Sequence, residues 1–166
     1  ALSLIHAKCN NLNVHDLTFD MESLLKTCRA IYIEKPAKVP IIKNVIFRNC
    51  DIGGEGNAIY VDSLHDKGGR RTCIESCRFE NCGTIGFAVY SLDKGLQFRD
   101  NTITYTSNAR GSGGGGLYAA GLYSIERNVF ENTFKYRNEI GNALTLSHTF
   151  DWNLGKFTYK NNVFSK

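Results

Sequence analysis

Ala58-Ile59-Tyr60-Val61 returns, with small variations, once in every repeat of this chain. It stands as Ala30-Ile31-Tyr32-Ile33 before that stretch, and after it as Ala88-Val89-Tyr90, Gly116-Leu117-Tyr118-Ala119 and Ala143-Leu144-Thr145-Leu146. Ala1-Leu2-Ser3-Leu4 fits the same frame. The third position then falls on Ser3, Tyr32, Tyr60, Tyr90, Tyr118 and Thr145, at intervals of 29, 28, 30, 28 and 27 residues. A period held that closely is the mark of stacked repeats.

A second series is anchored on Phe19, Phe47, Phe79, Ile103, Phe130 and Phe164. Two residues before each anchor stand Leu17, Val45, Cys77, Asn101, Asn128 and Asn162; five before stand Val14, Ile42, Ile74, Phe98, Ile125 and Tyr159. Within each pair of short segments the apolar positions alternate as in a strand, but the gap between the pairs is odd. Such a break of phase requires a bend. Each repeat therefore reads as two short strands meeting at a bend, a variable turn, and the strand of the opening motif. The expected fold is all-β: a right-handed parallel β-helix of about five to six rungs with three short strands per rung, crossover connections being nearly always right-handed. Helices are disfavoured by the two-residue apolar spacing and by the abundance of Ile, Val, Phe, Tyr and Thr.

Ile125-Glu126-Arg127-Asn128-Val129-Phe130-Glu131-Asn132, followed by Gly141-Asn142-Ala143-Leu144, resembles the repeats of the pectin-lyase-like right-handed β-helix superfamily; Ile42 to Asn49 with Gly56-Asn57-Ala58-Ile59 is similar. The resemblance spans nearly the whole chain, 1–166, read as one β-helix segment of a longer protein. It implies polysaccharide lyases, glycoside hydrolases, epimerases or phage tailspikes, hence a glycan as partner and an extracellular or virion-surface location. Asn49, Asn81 and Asn132, each two residues after an anchor, look like that family's asparagine ladder.

The net charge of +4 is mild, and the basic residues are scattered with no run beyond Arg70-Arg71, which gives no argument for nucleic acid. No apolar run is long enough for a membrane span. The run Gly111 to Gly116 lacks the Gly-Lys-Ser/Thr of a phosphate loop, and no cofactor is expected. Six cysteines are read as small buried side chains; Cys73, Cys77 and Cys82 lack the close pairs of a zinc module, so no metal is expected.

Alternation places Ala58, Tyr60 and Asp62 on the outside of the coil. Repeated over the rungs, this predicts an exposed column of Ala30, Ala58, Ala88, Gly116 and Ala143 beside a tyrosine column of Tyr32, Tyr60, Tyr90 and Tyr118. A shallow groove with an aromatic wall lets sugar rings lie flat on the phenols. The other reading is a structural or adhesive shaft in which these tyrosines stabilise the sheet or are covered by other subunits of a homotrimer. The next outward position carries Glu34 and Asp62 on adjacent rungs, about 5 Å apart, the separation of a retaining glycosidase pair. That proximity is expected to raise the pKa of one of them, as a general acid requires. On the loop that follows, His65, Arg70 and Arg71 supply positive charge for an acidic glycan. His6 and His148 fall at equivalent places but roughly 24 Å apart along the coil, too far to act together.

Overall fold

Short apolar alternations cannot bury a face alone, so each strand takes its hydrogen bonds from the repeats before and after it. A computed structural model describes residues 2–8, 12–21, 28–34, 39–50, 57–62, 72–82, 87–93, 95–104, 115–120, 122–131, 142–147 and 158–165. Among them, eighteen strands form three parallel sheets of six. Sheet A collects the opening motifs: Leu2–Ala7, Cys28–Glu34, Ile59–Asp62, Phe87–Ser91, Gly115–Ala120 and Asn142–Ser147. Sheets B and C take the two strands of each bent pair, such as Ile41–Lys43 and Ile46–Arg48. Neighbours within a sheet come from successive repeats, and the chain visits the sheets in the order A, B, C in each turn. The protein is an all-β parallel solenoid with three strands per rung.

The bend between sheets B and C explains the odd gap. One residue per bend is left-handed: Asp16, Asn44, Ser76, Asp100, Arg127 and Asn161, with φ between 55° and 57°. A single residue in that region turns the chain and reverses which side the next side chain takes. The bend amides stay paired, as Asn44 N–H donates to Glu75 O at 3.2 Å and Asp100 N–H to Glu126 O at 3.1 Å. Arginine has no intrinsic liking for this conformation. Arg127 is tied down by two 2.7 Å bonds to Asp100 one rung away.

Identical registers stack like on like inside the coil. Phe47 and Phe79 lie with ring centroids 5.0 Å apart and planes within 5°, and Phe130 and Phe164 stack at 4.9 Å. Ile42, Ile74, Phe98 and Ile125 are fully buried behind them. Enclosure is complete only over the inner rungs. In the last rung Tyr159, Val163 and Phe164 are 48, 53 and 42 % exposed, and in the first Leu17 is 49 % exposed. The filled coil is therefore shorter than the expected five to six rungs, since a terminal rung has a neighbour on one side only.

Polar groups inside are satisfied in a column. Asn101, Asn128 and Asn162 follow one another at the B–C bend, and Asn101 and Asn128 are 1 and 0 % exposed. Each amide nitrogen donates to a sheet B carbonyl one rung back, Asn101 to Ile74 O at 3.0 Å, Asn128 to Phe98 O at 2.9 Å and Asn162 to Ile125 O at 2.9 Å. Each carbonyl oxygen accepts a backbone N–H, from Cys77, Asn101 and Asn128 respectively, at 2.8 to 3.0 Å. Cys77 continues the column as a thiol, its Sγ 3.6 Å from Ile42 O. Burial pushes that thiol up to about 11. The expected ladder is the outer one: Asn81 donates to Asn49 Oδ1 and Asn49 to Asp20 Oδ1, both at 2.9 Å. Asn132 lies outside the described residues. Cys50, Cys77 and Cys82 are buried and Cys73 is half-buried; Cys73, Cys77 and Cys82 are free thiols.

Two expectations are corrected. The small column is not an exposed groove floor: Ala30, Ala58 and Ala88 are fully buried and belong to the core. Ala30 and Ile31, Ala58 and Ile59, and Ala88 and Val89 are buried at consecutive positions, so the alternation breaks there and does not carry back from the tyrosine to the alanine. In the first rung the register differs by three residues. Ser3 pairs with Arg29, and it is His6 that pairs with Tyr32.

Candidate functional site

The three outer faces differ in chemistry. On sheet B the outward column runs His15, Lys43, Glu75, Arg99, Glu126 and Lys160 in register. From Lys43 onward the signs alternate, with Lys43–Glu75 at 3.3 Å, Arg99–Glu75 at 3.6 Å and Lys160–Glu126 at 3.4 Å. Sheet C carries Arg48–Glu80 at 2.6 Å and Arg78–Glu80 at 2.8 Å. Exposed pairs of this kind favour one register more than they add stability.

Sheet A instead carries a continuous column of rings. His6, Tyr32, Tyr60, Tyr90 and Tyr118 stand in register, with Thr145 beyond them. His6 stacks on Tyr32 at 4.6 Å, Tyr60 on Tyr90 at 5.2 Å and Tyr90 on Tyr118 at 4.4 Å, with planes within 25°. The stack is interrupted once, where Tyr32 meets Tyr60 edge-on at 5.5 Å and 70°. The four tyrosines expected to form a wall are thus brought together, but their faces are turned to one another. What such a column offers a ligand is a row of ring edges and hydroxyls, so sugar rings do not lie flat on its inner members.

Both flanks of the column are occupied. On one side Arg29 lays its guanidinium 4.1 Å from the Tyr60 ring centroid and 5.3 Å from that of Tyr32, bridging the interruption. Two rungs on, Phe87 takes the equivalent place against Tyr118 at 5.5 Å and Tyr90 at 6.4 Å. On the other side Glu34 and Asp62 are register partners, as alternation predicts. Further along that flank Leu92 and Ala120 are buried, so the outward column ends with the two acids.

The two carboxyls have different surroundings. Glu34 receives Lys8 Nζ at 3.0 Å and His6 Nε2 at 2.9 Å on one oxygen. These bonds, from Lys8 and then His6, hold its carboxyl below the usual carboxylate range, the reverse of the rise expected from a neighbouring acid. Asp62 accepts the Tyr32 hydroxyl at 3.4 Å. Burial, then the charges of Asp62 and Glu34, push the Tyr32 phenol up, and burial does the same for Tyr60 and Tyr90.

His65, Arg70 and Arg71 lie outside the described residues, as does His148. Among the described residues no three His, Cys, Asp or Glu side chains are grouped to hold a metal ion. Sequence reasoning missed His6, Arg29 and Phe87. The signal for His6 was its own ring: an aromatic residue continues the tyrosine column where Ser3 does not. Arg29 and Phe87 share a spacing of three residues before a column tyrosine, which brings a long side chain back over it.

A family model described as the right-handed β-helix region matches residues 23–134. The chain belongs to the right-handed β-helix family. No curated protein and no solved structure matches it. Membership in the right-handed β-helix family accords with the three-sheet coil and names no reaction.

Proposed function

We propose that this right-handed β-helix binds polysaccharide on the outer face of sheet A, with the glycan running along the stack of rungs. The observation that carries the reading is the contrast between faces. Sheets B and C pair their outward charges internally, whereas sheet A holds a row of phenols in register. Phenols keep their protons at neutral pH, and burial pushes Tyr60 and Tyr90 further in that direction, so those hydroxyls both donate and accept. Sugar hydroxyls need that pairing, and the ring edges cover the apolar C–H faces beside them. His65, Arg70 and Arg71, on the connection after Asp62, are proposed as further contacts. Such a face suits an extracellular or virion-surface protein.

Cleavage by Glu34 and Asp62 forms a secondary part of the proposal. Glu34, held ionised by Lys8 and His6, suits the charged member of a carboxylate pair, with Asp62, its register partner, as the second carboxyl. A second reading, a shaft packing sheet A against other copies in a homotrimer, is supported by the mutual stacking of the rings, which by itself strengthens the sheet.

The test is a glycan microarray probed with the chain and with a Tyr60→Phe/Tyr90→Phe/Tyr118→Phe variant. The variant keeps the ring stack and removes only the hydroxyls. Binding by the parent that falls about tenfold or more in the variant is the expected result, from the loss of several hydrogen bonds. A parent that binds no glycan and sediments as a trimer overturns the proposal in favour of the shaft.

A further inference from the structure

Arginines elsewhere in the described coil are spoken for. Arg48 and Arg78 bind Glu80, Arg99 binds Glu75, and Arg127 binds Asp100 and Glu126. Arg29 differs: among the described residues it makes no ion pair. Its Nε, like that of Arg99, is buried without a hydrogen-bond partner. The guanidinium is also held in place before any ligand arrives, spread over Tyr60 at 4.1 Å and reaching Tyr32 at 5.3 Å. It stands at the one interruption of the ring column, where Tyr32 and Tyr60 meet at 70°.

Both acids on this face already have partners. Glu34 is already neutralised by Lys8 at 3.0 Å and His6 at 2.9 Å. Asp62 lies beyond the tyrosine column on the opposite flank, engaged by the Tyr32 hydroxyl. A planar guanidinium fixed over an aromatic ring recognises oxyanions through paired N–H donors, and Arg serves this better than Lys.

We infer that Arg29 is the specificity-determining residue of the sheet A face and selects glycans bearing an oxyanion substituent, carboxylate or sulfate, seated where the ring stack breaks between Tyr32 and Tyr60. This rests on the glycan reading above. Bound there, the anion accepts from the guanidinium while neighbouring sugar hydroxyls meet the phenols of the next rungs. A neutral chain lacks the first of these interactions and leaves the cation unpaired.

The experiment uses matched oligosaccharides printed in sets, each set sharing one backbone and carrying a free carboxylate, its methyl ester, or a sulfate. The parent chain is expected to bind at least one charged form about tenfold more tightly than its ester, since charge-assisted bonds are roughly twice as strong as neutral ones. The carboxylate and sulfate arms decide between the two oxyanions. Arg29→Gln should bind the charged form no better than the ester. A salt titration of the parent guards against a misfolded variant: the preference should shrink as ionic strength rises, with ester binding unchanged. Equal parental binding to charged and neutral forms, or a preference that survives Arg29→Gln or high salt, overturns the role of Arg29 and leaves the glycan reading standing. Failure to bind any set overturns both.

Discussion

Asn128 shows how a polar residue is carried in the centre of this coil. Its amide nitrogen donates to Phe98 O at 2.9 Å and to Asn162 Oδ1 at 2.9 Å, while its oxygen accepts Asn101 N–H at 2.9 Å. Truncation in Asn128→Ala removes all three and strands the Asn101 amide in a dry interior. A loss of about 2–4 kcal/mol is expected, read from the shift in urea midpoint at constant slope. A loss below about 1 kcal/mol would mean that water takes the place of the side chain. The sequence placed Asn101, Asn128 and Asn162 in an inward column yet assigned the ladder to Asn49, Asn81 and Asn132. Periodicity tells which side a residue takes, and asparagine suits a turn on either side; which amide finds a carbonyl depends on backbone that the letters do not specify. Cys77 was legible as buried, but not as the thiol standing in for the next amide of that column.

Among the sheets, A is where sequence reasoning was tested hardest. The tyrosine register of Tyr32, Tyr60, Tyr90 and Tyr118 was readable because one ring per rung marks the frame. Where the marker is absent the frame slipped: Leu2 and Leu4 were set inward, whereas Ile5 and Ala7 pair with Ile31 and Ile33 and Leu4 is 51 % exposed. A shift by an odd number exchanges the two faces of a strand, and that concealed His6. The small column separates the two pictures experimentally. A methyl added at Gly116 would lie 2.5 Å from Ala143 O and 3.1 Å from the Phe130 ring. Gly116→Ala is therefore expected to cost about 1–3 kcal/mol in denaturant unfolding, as for an overpacked core. On an exposed groove floor the same change would be neutral or stabilising, and that outcome would return the column to the surface.

For the molecule as a whole, acid is the condition that discriminates. Asp16, Glu34, Asp100 and Glu126 all have carboxyls held below their ordinary values of 3.8 or 4.5, by His15, Lys8, Arg127 and Ser124 first among their respective causes. A depressed folded-state pKa means that unfolding takes up protons, so stability rises with pH through this range. The contribution is complete above the ordinary carboxylate values and is lost as pH falls through the lower folded ones. Urea midpoints measured from pH 7 down to pH 2 should decline mainly below about pH 4. Arg127→Ala should flatten the curve by freeing Asp100, and an unchanged slope would refute that assignment. Three-strand rungs, their order and their stacking were legible from the repeat; the chemistry at the tyrosine column was not, because ring orientation is decided by contact between rungs.

The tyrosine rings recur once per rung, with centroids 4.4 to 5.5 Å apart, near the roughly 4.8 Å that separates strands in any sheet. If sheet A binds a glycan as proposed, that repeat makes the column a ruler. A polymer whose own repeat is commensurate with it stays in phase and gains a contact with every added unit, whereas one of a different pitch drifts out of step like the scales of a vernier. Chain length alone would then sort ligands that share the same monomer chemistry, with affinity climbing unit by unit until the ruler runs out.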